Sequence, residues 1–385
     1  MTGGGELAPS TPRRWSRPAL RLGVALLPPA LVFAGARWLF AFAAARAGFD
    51  AADPFAWRRW DSGHYLVIAV RGWELFSCAR LGGRVQDACG NAAWFPLYPW
   101  SLRPLIALGV RPETAGVWIS GTAALVMLVV LWNGLLRERG LRGLVVLAIA
   151  AVFPGAVYAH AIFPTSLALL FIVLAGAALA RRRWVAVGLS GAFLSMTYVT
   201  GVLLALPNTV ATWLRARALR PAVVAGALSV SGFLAVLLAQ QLILGHWDGW
   251  YRVYQKGLPA VARPLEAFLA IVQPAFAENP DPRPRTLAAQ ELTVVGLLVL
   301  GLGTAALTRH RRSPVRAWAA MSALLFWGFP LFAGRGVSLY RADALVLPVV
   351  LLLVDLPVLV LLPVLLWLAN LAGAMAELFF SGYLV

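Results

Sequence analysis

The chain has 385 residues, of which 61% are hydrophobic and only 13% are charged, with 33 basic against 16 acidic side chains. Ordinary soluble domains are about 45–50% apolar, so this composition excludes a typical soluble protein. Repeated apolar segments of about 20 residues indicate a polytopic membrane protein. The net charge of +17 comes from short arginine clusters between these segments, which favours an orienting role in the membrane over nucleic-acid binding.

The N-terminal region, residues 1–18, is rich in Gly, Pro and Arg, and we expect it to be a disordered cytoplasmic tail ahead of a single transmembrane domain, 19–385. Its arginines precede a first apolar span at about 20–45, so the positive-inside rule places the N-terminus in the cytoplasm. This span is too long for a cleaved signal and has no small-residue cleavage site, so it should remain as an anchor.

The first exterior loop, 48–112, contains the run Ala56-Trp-Arg-Arg-Trp-Asp-Ser-Gly-His-Tyr65. If this run is helical, Asp61 shares a face with His64 and Tyr65 one turn ahead and with Arg58 one turn behind. An interfacial amphipathic helix explains the tryptophans and arginines. It does not explain an acid and a histidine on one face, so an interfacial helix and a functional Asp61 both stay open on the residues alone.

The same loop holds the chain's two cysteines, Cys78 and Cys89. An oxidising exterior permits a disulfide between them, which would close a short loop and contribute about 2–3 kcal/mol in the chain-entropy model. The alternative is two unrelated thiols.

The arginine clusters decide the topology. Segment 94–110 is apolar, but three prolines and Arg103 make it a poor spanning helix. If it stays outside, the later clusters all face the cytoplasm. This arrangement predicts an all-α bundle of about eleven transmembrane helices, amphipathic helices in the first exterior loop and a second large exterior loop at 245–290. The spans are predicted at about 20–45, 115–136, 143–160, 165–180, 184–198, 200–214, 221–244, 291–308, 317–332, 342–357 and 358–378.

On this topology the polar residues that are not arginine anchors gather on the exterior side, where ionisable groups near the bilayer indicate a site. A carboxylate there could take a proton from a hydroxyl acceptor, and arginine or histidine could hold a phosphate leaving group. Asp61 with Glu74 or Asp248 could alternatively hold a divalent metal such as Mg or Mn, although no D-x-D spacing occurs. The gathered residues are Asp61, His64, Arg71, Glu74, His160, Thr165, His246, Asp248, Arg252, Lys256, Arg335, Tyr340, Arg341 and Asp343.

Two motifs carry a resemblance to a known family. Trp60-Asp-Ser-Gly-His-Tyr-Leu-Val-Ile-Ala-Val-Arg-Gly-Trp73 is followed by Trp94-Phe-Pro-Leu-Tyr-Pro99, and this pair resembles the PIG-V mannosyltransferase family, most closely its bacterial members. The resemblance extends more loosely through Phe163-Pro-Thr-Ser-Leu167, Leu194–Gly201 and Ser338-Leu-Tyr-Arg341. It implies a GT-C-type bundle and a glycosyltransferase that uses a polyprenyl-phosphate sugar, with mannose as the family's sugar and a lipid or glycan hydroxyl as acceptor.

The resemblance also implies roles for individual residues. Asp61 matches the family's catalytic acid, and we expect it to be the general base of a direct, inverting displacement. The donor phosphate would be held by Arg341, with Arg58 or His64. The sugar and prenyl path would be lined by Trp60, Tyr65, Trp94 and Tyr98, with Tyr340 as a further substrate contact.

The chain departs from the family at Thr165, where an acid is usual, at Tyr198, where arginine is common, and at Tyr340, which precedes Arg341 rather than following it. Two other functions therefore stay open, a transporter or lipid flippase and a catalytically lapsed scaffold. The bias toward arginine, with Lys256 the one lysine, and the similarity to bacterial members favour a bacterial plasma membrane.

Overall fold

The computed structural model describes residues 16–136, 140–255, 263–278, 281–308, 313–333, 339–382 and 384. Most of the predicted disordered tail lies outside these residues. Lys256, Arg335 and parts of the predicted cytoplasmic arginine clusters, at 137–139 and 309–312, also lie outside them.

The described chain is helical almost throughout. Its α-helices are α1 (Ser16–Arg46), α2 (Ser62–Val70), α3 (Leu97–Ala107), α4 (Pro112–Gly134), α5 (Leu141–Ala151), α6 (Val157–His160), α7 (Thr165–Ala180), α8 (Trp184–Thr197), α9 (Ala205–Ala216), α10 (Leu219–Leu244), α11 (Gly249–Tyr254), α12 (Pro264–Val272), α13 (Pro282–Leu307), α14 (Pro314–Ala333), α15 (Leu339–Ala342), α16 (Val350–Leu353) and α17 (Val358–Phe380). The 3-10 helices are Pro54–Trp57, Cys78–Leu81, Val199–Leu204, Gln273–Phe276 and Asp343–Val349. Strands β1 (Leu75–Ser77) and β2 (Ala88–Gly90) form an antiparallel hairpin with Phe76 opposite Cys89.

Six helices in the described residues are long and apolar enough to cross a membrane, so the protein is a helical membrane protein. They have 20 to 26 apolar-rich residues each, which matches the length needed to cross about 30 Å of hydrocarbon. Each coincides with a predicted span. They are Gly23–Arg46 in α1, α4, α10, α13, α14 and α17.

The other five predicted spans are shorter or interrupted. The segment predicted at 143–160 breaks between α5 and α6, where Gly155 has φ +76°, a conformation that favours glycine. The segments predicted at 200–214 and 342–357 each begin as a 3-10 helix. Helices α7 and α8 have 16 and 14 residues, which gives about 21–24 Å of length at 1.5 Å per residue.

Close backbone approach holds α8 against α10. A Cβ on Gly232 would collide with the carbonyl group of Ala192, and a Cβ on Gly188 would collide with Leu228 and Ala225. Small residues at such crossings let two helices pack backbone to backbone, which is the usual device where lipid removes the hydrophobic drive between helices. Any larger side chain at Gly232 would push the two helices apart.

A buried amide then ties this pair to the rest of the bundle. Asn208 on α9 donates to the Ser229 hydroxyl on α10 at 3.0 Å and accepts from the indole N–H of Trp318 on α14 at 2.9 Å. Because each polar atom in a membrane interior needs a partner, these contacts fix the mutual register of three helices.

The segment 48–112, predicted as the first exterior loop, holds α2 in place. Helix α3 has only eleven residues, too few to cross a bilayer, as expected for 94–110. Its Arg103 donates to the carbonyl oxygens of Ile68 at 3.1 Å and Ala69 at 3.2 Å, in the last turn of α2. A cation at a helix C-terminus satisfies unpaired carbonyls and interacts favourably with the helix dipole. Arg103 therefore holds α2, whose other end carries Asp61.

The hairpin brings the cysteine-containing segments together, since Cys78 follows β1 directly and Cys89 lies within β2. We expect the purified protein to show no thiol reactive toward maleimide until a reductant is added, and two afterwards. The Cys78→Ser variant controls for accessibility, because it should expose one reactive thiol without reductant. If the wild type, unfolded without reductant, shows two thiols that react with maleimide, the disulfide prediction is contradicted.

Candidate functional site

Asp61 lies in a tight turn rather than in the middle of a helix. The run Ala56–Tyr65 is not one continuous helix, because the 3-10 helix ends at Trp57 and α2 starts at Ser62. The break occurs at Trp60, whose φ of +46° is left-handed and unfavourable for a non-glycine residue. The hydroxyl of Ser62 accepts from the backbone N–H of Arg59 at 3.1 Å and closes the turn. This turn places Asp61 at the N-terminus of α2, where its side chain caps no backbone group.

The carboxylate of Asp61 instead forms an ion pair with Arg341 of α15, which donates to it through Nη1. The two residues are 280 positions apart in sequence. Their side chains are 29% and 20% exposed, so the pair is neither fully solvated nor sealed. Asp61, predicted as the base, and Arg341, predicted as the phosphate contact, are thus in direct contact.

This ion pair lies on the wall of a cavity of about 410 Å³, within the range typical of ligand sites. Among the described lining residues, Asp61 and Arg341 are the only charged ones. The rest of the wall is aromatic and aliphatic, with a few hydroxyls. It is formed by Asp61, Tyr65, Ala93, Trp94, Phe95, Phe163, Thr197, Tyr198, Val199, Thr200, Val253, Tyr254, Phe329, Pro330, Ala333, Arg341, Ala342 and Leu345.

The protonation states of the wall follow from burial and from the ion pair. Burial acts to lower the pKa of Arg341, but Asp61, Tyr340 and Tyr158 together outweigh burial and raise that pKa, so the guanidinium stays cationic. Burial raises the pKa of Tyr65 well above its usual 10. This phenol therefore remains neutral and can donate a hydrogen bond into the cavity.

Two of the three positions that depart from the family pattern, Thr165 and Tyr198, are in direct contact. The Thr165 hydroxyl and the Tyr198 hydroxyl form a hydrogen bond of 3.0 Å. Thr165 is buried at the start of α7, whereas Tyr198 ends α8 and lines the cavity. A neutral hydrogen-bonded pair thus stands where the family pattern has an acid and an arginine.

Several predicted contacts lie outside the cavity wall. Arg58 pairs with Glu113 of α4 at 3.0 Å. Tyr98 is fully buried, and its hydroxyl contacts Ser120 at 3.0 Å and the Gly116 carbonyl at 3.2 Å. These two side chains connect the first loop to α4, and we drop both from the proposed substrate contacts.

The other predicted contacts vary in their distance from the cavity. His64 stacks on the ring of the wall residue Trp94, with centroids 3.6 Å apart and an interplanar angle of 17°. Trp60 is 37% exposed and is not part of the cavity wall. Tyr340 precedes Arg341 on α15, and its ring lies 6.1 Å from that of Tyr158. Tyr65 and Trp94 are part of the cavity wall.

Two of the three proposed metal-binding acids are engaged by arginines. Asp61 is engaged by Arg341, and Asp248 is engaged by Arg252 at 2.8 Å and 2.9 Å. Glu74 is an exposed residue beside β1. Within the described residues, no group of three or more His, Cys, Asp or Glu side chains is positioned to hold a metal. We therefore derive no step through a metal ion.

Two further polar residues of the predicted exterior set belong to the protein core. His160 is 3% exposed and packs between Phe33 and Phe40, with ring centroids 5.2 Å and 5.0 Å away. Asp343 is 1% exposed and accepts a hydrogen bond from Gln290 at 2.6 Å.

Two wall elements escaped the sequence analysis. Tyr254, on α11, follows an aromatic-rich run that begins at Trp247, and that run was its only signal. Phe329 precedes Pro330 inside the apolar helix α14, and a proline inside a span can mark a site. Gln240 holds part of this wall, since it donates to the Ala92 carbonyl at 2.8 Å and accepts from the N–H of Trp250 at 3.0 Å. No sequence pattern identifies Gln240.

Comparison of the chain with models of known protein families gave no match, and comparison with curated proteins gave none either. The resemblance stated above thus depends on the short motifs around Asp61 and Trp94.

The environment of His64 predicts a pH-dependent stability. Burial lowers the pKa of His64 below its usual 6.5, and Asp61 opposes the shift without cancelling it. A histidine that is harder to protonate when folded contributes stability above the unfolded pKa, and this contribution is lost as the pH falls below about 6.5. We expect acidification from about pH 7.5 to 5.5 to lower the unfolding temperature of the wild type more than that of His64→Phe, which keeps a ring on Trp94.

The exposed residue His246 provides the matched control, since the His246→Gln variant should retain the pH dependence of the wild type. Equal pH dependence in wild type and His64→Phe would contradict this assignment.

Proposed function

We propose that the protein is a membrane glycosyltransferase that moves a hexose, mannose by family resemblance, from a polyprenyl-phosphate donor to a hydroxyl acceptor. The observation that carries the proposal is the Asp61–Arg341 ion pair on the wall of a large, mostly apolar cavity. The reaction needs a base for the acceptor, a cation for the phosphate and an apolar surface for a prenyl chain. The cavity offers all three.

In the proposed reaction, Asp61 takes the proton of the acceptor hydroxyl as its oxygen attacks the anomeric carbon of the sugar. The bond between that carbon and the phosphate oxygen breaks, and the electron pair leaves with the phosphate. Arg341 stabilises the leaving phosphate through charge-assisted hydrogen bonds. A single displacement inverts the configuration at the anomeric carbon.

The ion pair also sets the order of binding in this proposal. A phosphate at Arg341 competes with the carboxylate of Asp61 for the same guanidinium. If the donor weakens the ion pair, the lone pairs of Asp61 become available to accept the proton of the acceptor hydroxyl. The donor should therefore bind before the acceptor becomes reactive.

The apolar wall suits the remaining parts of the donor. Tyr65 and Trp94 offer ring faces and a hydroxyl for the sugar. Phe329 and Pro330 lie on α14, where the neighbouring Phe332 is 57% exposed on the outer surface. We propose that the prenyl chain leaves the cavity along this part of α14.

The proposal includes the membrane arrangement. By the positive-inside rule, the N-terminus would lie in the cytoplasm and the cavity would open on the exterior face. The membrane would be a bacterial plasma membrane. The five shorter or interrupted segments join the six long helices to make about eleven spans in a GT-C-type bundle.

One observation favours a second candidate function. The neutral Thr165–Tyr198 pair leaves the cavity with fewer charges than the family pattern predicts. A catalytically lapsed scaffold would keep the cavity and bind the donor without transferring the sugar. A transfer assay separates this function from the enzyme.

The proposal predicts that wild-type protein in lipid transfers label from radiolabelled polyprenyl-phosphate mannose to a lipid-extract acceptor. The Asp61→Asn variant should lose transfer by about 10²-fold or more, because the base is gone, while it still binds the donor. Asp53→Asn is the matched control, since Asp53 is an exposed acid of the same loop that caps a 3-10 helix, and asparagine preserves that cap. Chelator added to half of each set tests metal dependence.

Near-full turnover by Asp61→Asn would contradict the role of Asp61. Donor binding without transfer by the wild type would favour the lapsed scaffold.

A further inference from the structure

Arg341 lies on a segment that has little structure of its own. Helix α15 is a single turn of four residues, and a 3-10 helix follows it directly at Asp343. One helical turn fixes several dihedral angles for very few hydrogen bonds, and 3-10 geometry is poorer than α-helical geometry. The position of the Arg341 guanidinium therefore depends on what other elements do to this turn.

A buried glutamine on α13 holds the turn on both sides of Arg341. Gln290 donates from Nε2 to the carbonyl oxygen of Tyr340 at 2.8 Å and to the Asp343 carboxylate at 2.6 Å. A side-chain amide nitrogen carries two hydrogens, so both bonds can form at once. The Tyr340 carbonyl can only accept, which assigns the NH₂ group, and not the amide oxygen, to this contact.

Apolar packing and close backbone approach also hold the turn, and these contacts are less directional. Leu339 is buried in a small apolar cluster with Leu331 and Ala267. Gly155 approaches so closely that a Cβ there would lie 3.1 Å from the Tyr340 carbonyl oxygen. Apolar packing and close approach limit where the turn can lie, but they tolerate rotation. The two hydrogen bonds from the Gln290 nitrogen fix the rotation of the turn about the chain axis.

We propose that Gln290 is a positioning residue that sets the guanidinium of Arg341 for a phosphate in the cavity. Gln290 is fully buried and is not part of the cavity wall, so it acts through the turn and not on the ligand. This inference rests on the proposed function, because it assigns the phosphate of the donor to Arg341. It adds a second helix, α13, to the elements on which phosphate binding depends.

The test measures binding of a short-chain prenyl phosphate to the full chain in detergent. Gln290→Met removes both donors at nearly constant volume and should weaken binding about tenfold, since a charge-assisted contact to the phosphate is lost or misplaced. The Gln290→Asn side chain keeps its NH₂ group but is one methylene too short to reach both acceptors. This variant replaces Gln290→Met in the test if the methionine variant does not fold.

A double-mutant cycle distinguishes positioning from a general loss of stability. In an Arg341→Gln background, Gln290→Met should weaken binding no further, because the group that it positions is absent. Asn208→Leu removes another fully buried, hydrogen-bonded amide away from the cavity. It should lower the unfolding temperature without changing the affinity for the prenyl phosphate.

The outcomes separate this inference from the function on which it rests. Wild-type affinity in Gln290→Met, together with loss of binding in Arg341→Gln, would overturn the positioning role and leave the proposed function standing. Additive losses in the double variant would also overturn it. A wild type that binds no prenyl phosphate would overturn the proposed function and, with it, this inference.

Discussion

The ion pair between Asp61 and Arg341 is the constraint on which the site depends. A carboxylate or a guanidinium alone on a mostly apolar wall would pay a large desolvation cost, and each relieves the cost of the other. The pair joins the loop that precedes α2 to a turn 280 positions later in the sequence. Arg103 contacts the other end of α2, and Gln290 of α13 contacts α15. Distant parts of the bundle therefore serve one contact.

Irregular backbone gathers around the same cavity. The left-handed Trp60 precedes Asp61, the 3-10 helix Val199–Leu204 contributes two wall residues, and a third irregular segment, α15 with its following 3-10 helix, carries Arg341. In a membrane, backbone that departs from an α-helix is tolerated where it is buried in protein or lines a cavity. Regular helices such as α4 and α10 pack around this region and supply most of the membrane-crossing length. The irregular segments thus line the cavity, and the regular helices cross the membrane around it.

Long apolar runs made the membrane class and six of the spans predictable, because helix length and bilayer thickness impose a common scale. The same scale did not predict the interruptions within 143–160 and 342–357, since hydropathy does not register a break at Gly155 or a 3-10 helix at Asp343. Asp61 and Arg341 could be identified as polar outliers among apolar residues. Their contact could not, and neither could the pairing of Arg58 with Glu113, because long-range partners leave no periodic signal. The burial of Tyr98 was not predictable for the same reason, since its partner Ser120 lies on another helix.

The most direct test of the central contact is a cross-linking measurement in membranes. Cysteines would replace Asp61 and Arg341 in a protein whose Cys78 and Cys89 are changed to Ser, and a short bifunctional thiol reagent would be added. Asp61→Cys combined with Asp355→Cys is the control, since Asp355 pairs with Arg316, a contact that does not involve the cavity. The site described here predicts a peptide that links positions 61 and 341, identified by mass spectrometry, and no link between 61 and 355. Failure to link 61 with 341, with both thiols reactive, would contradict it.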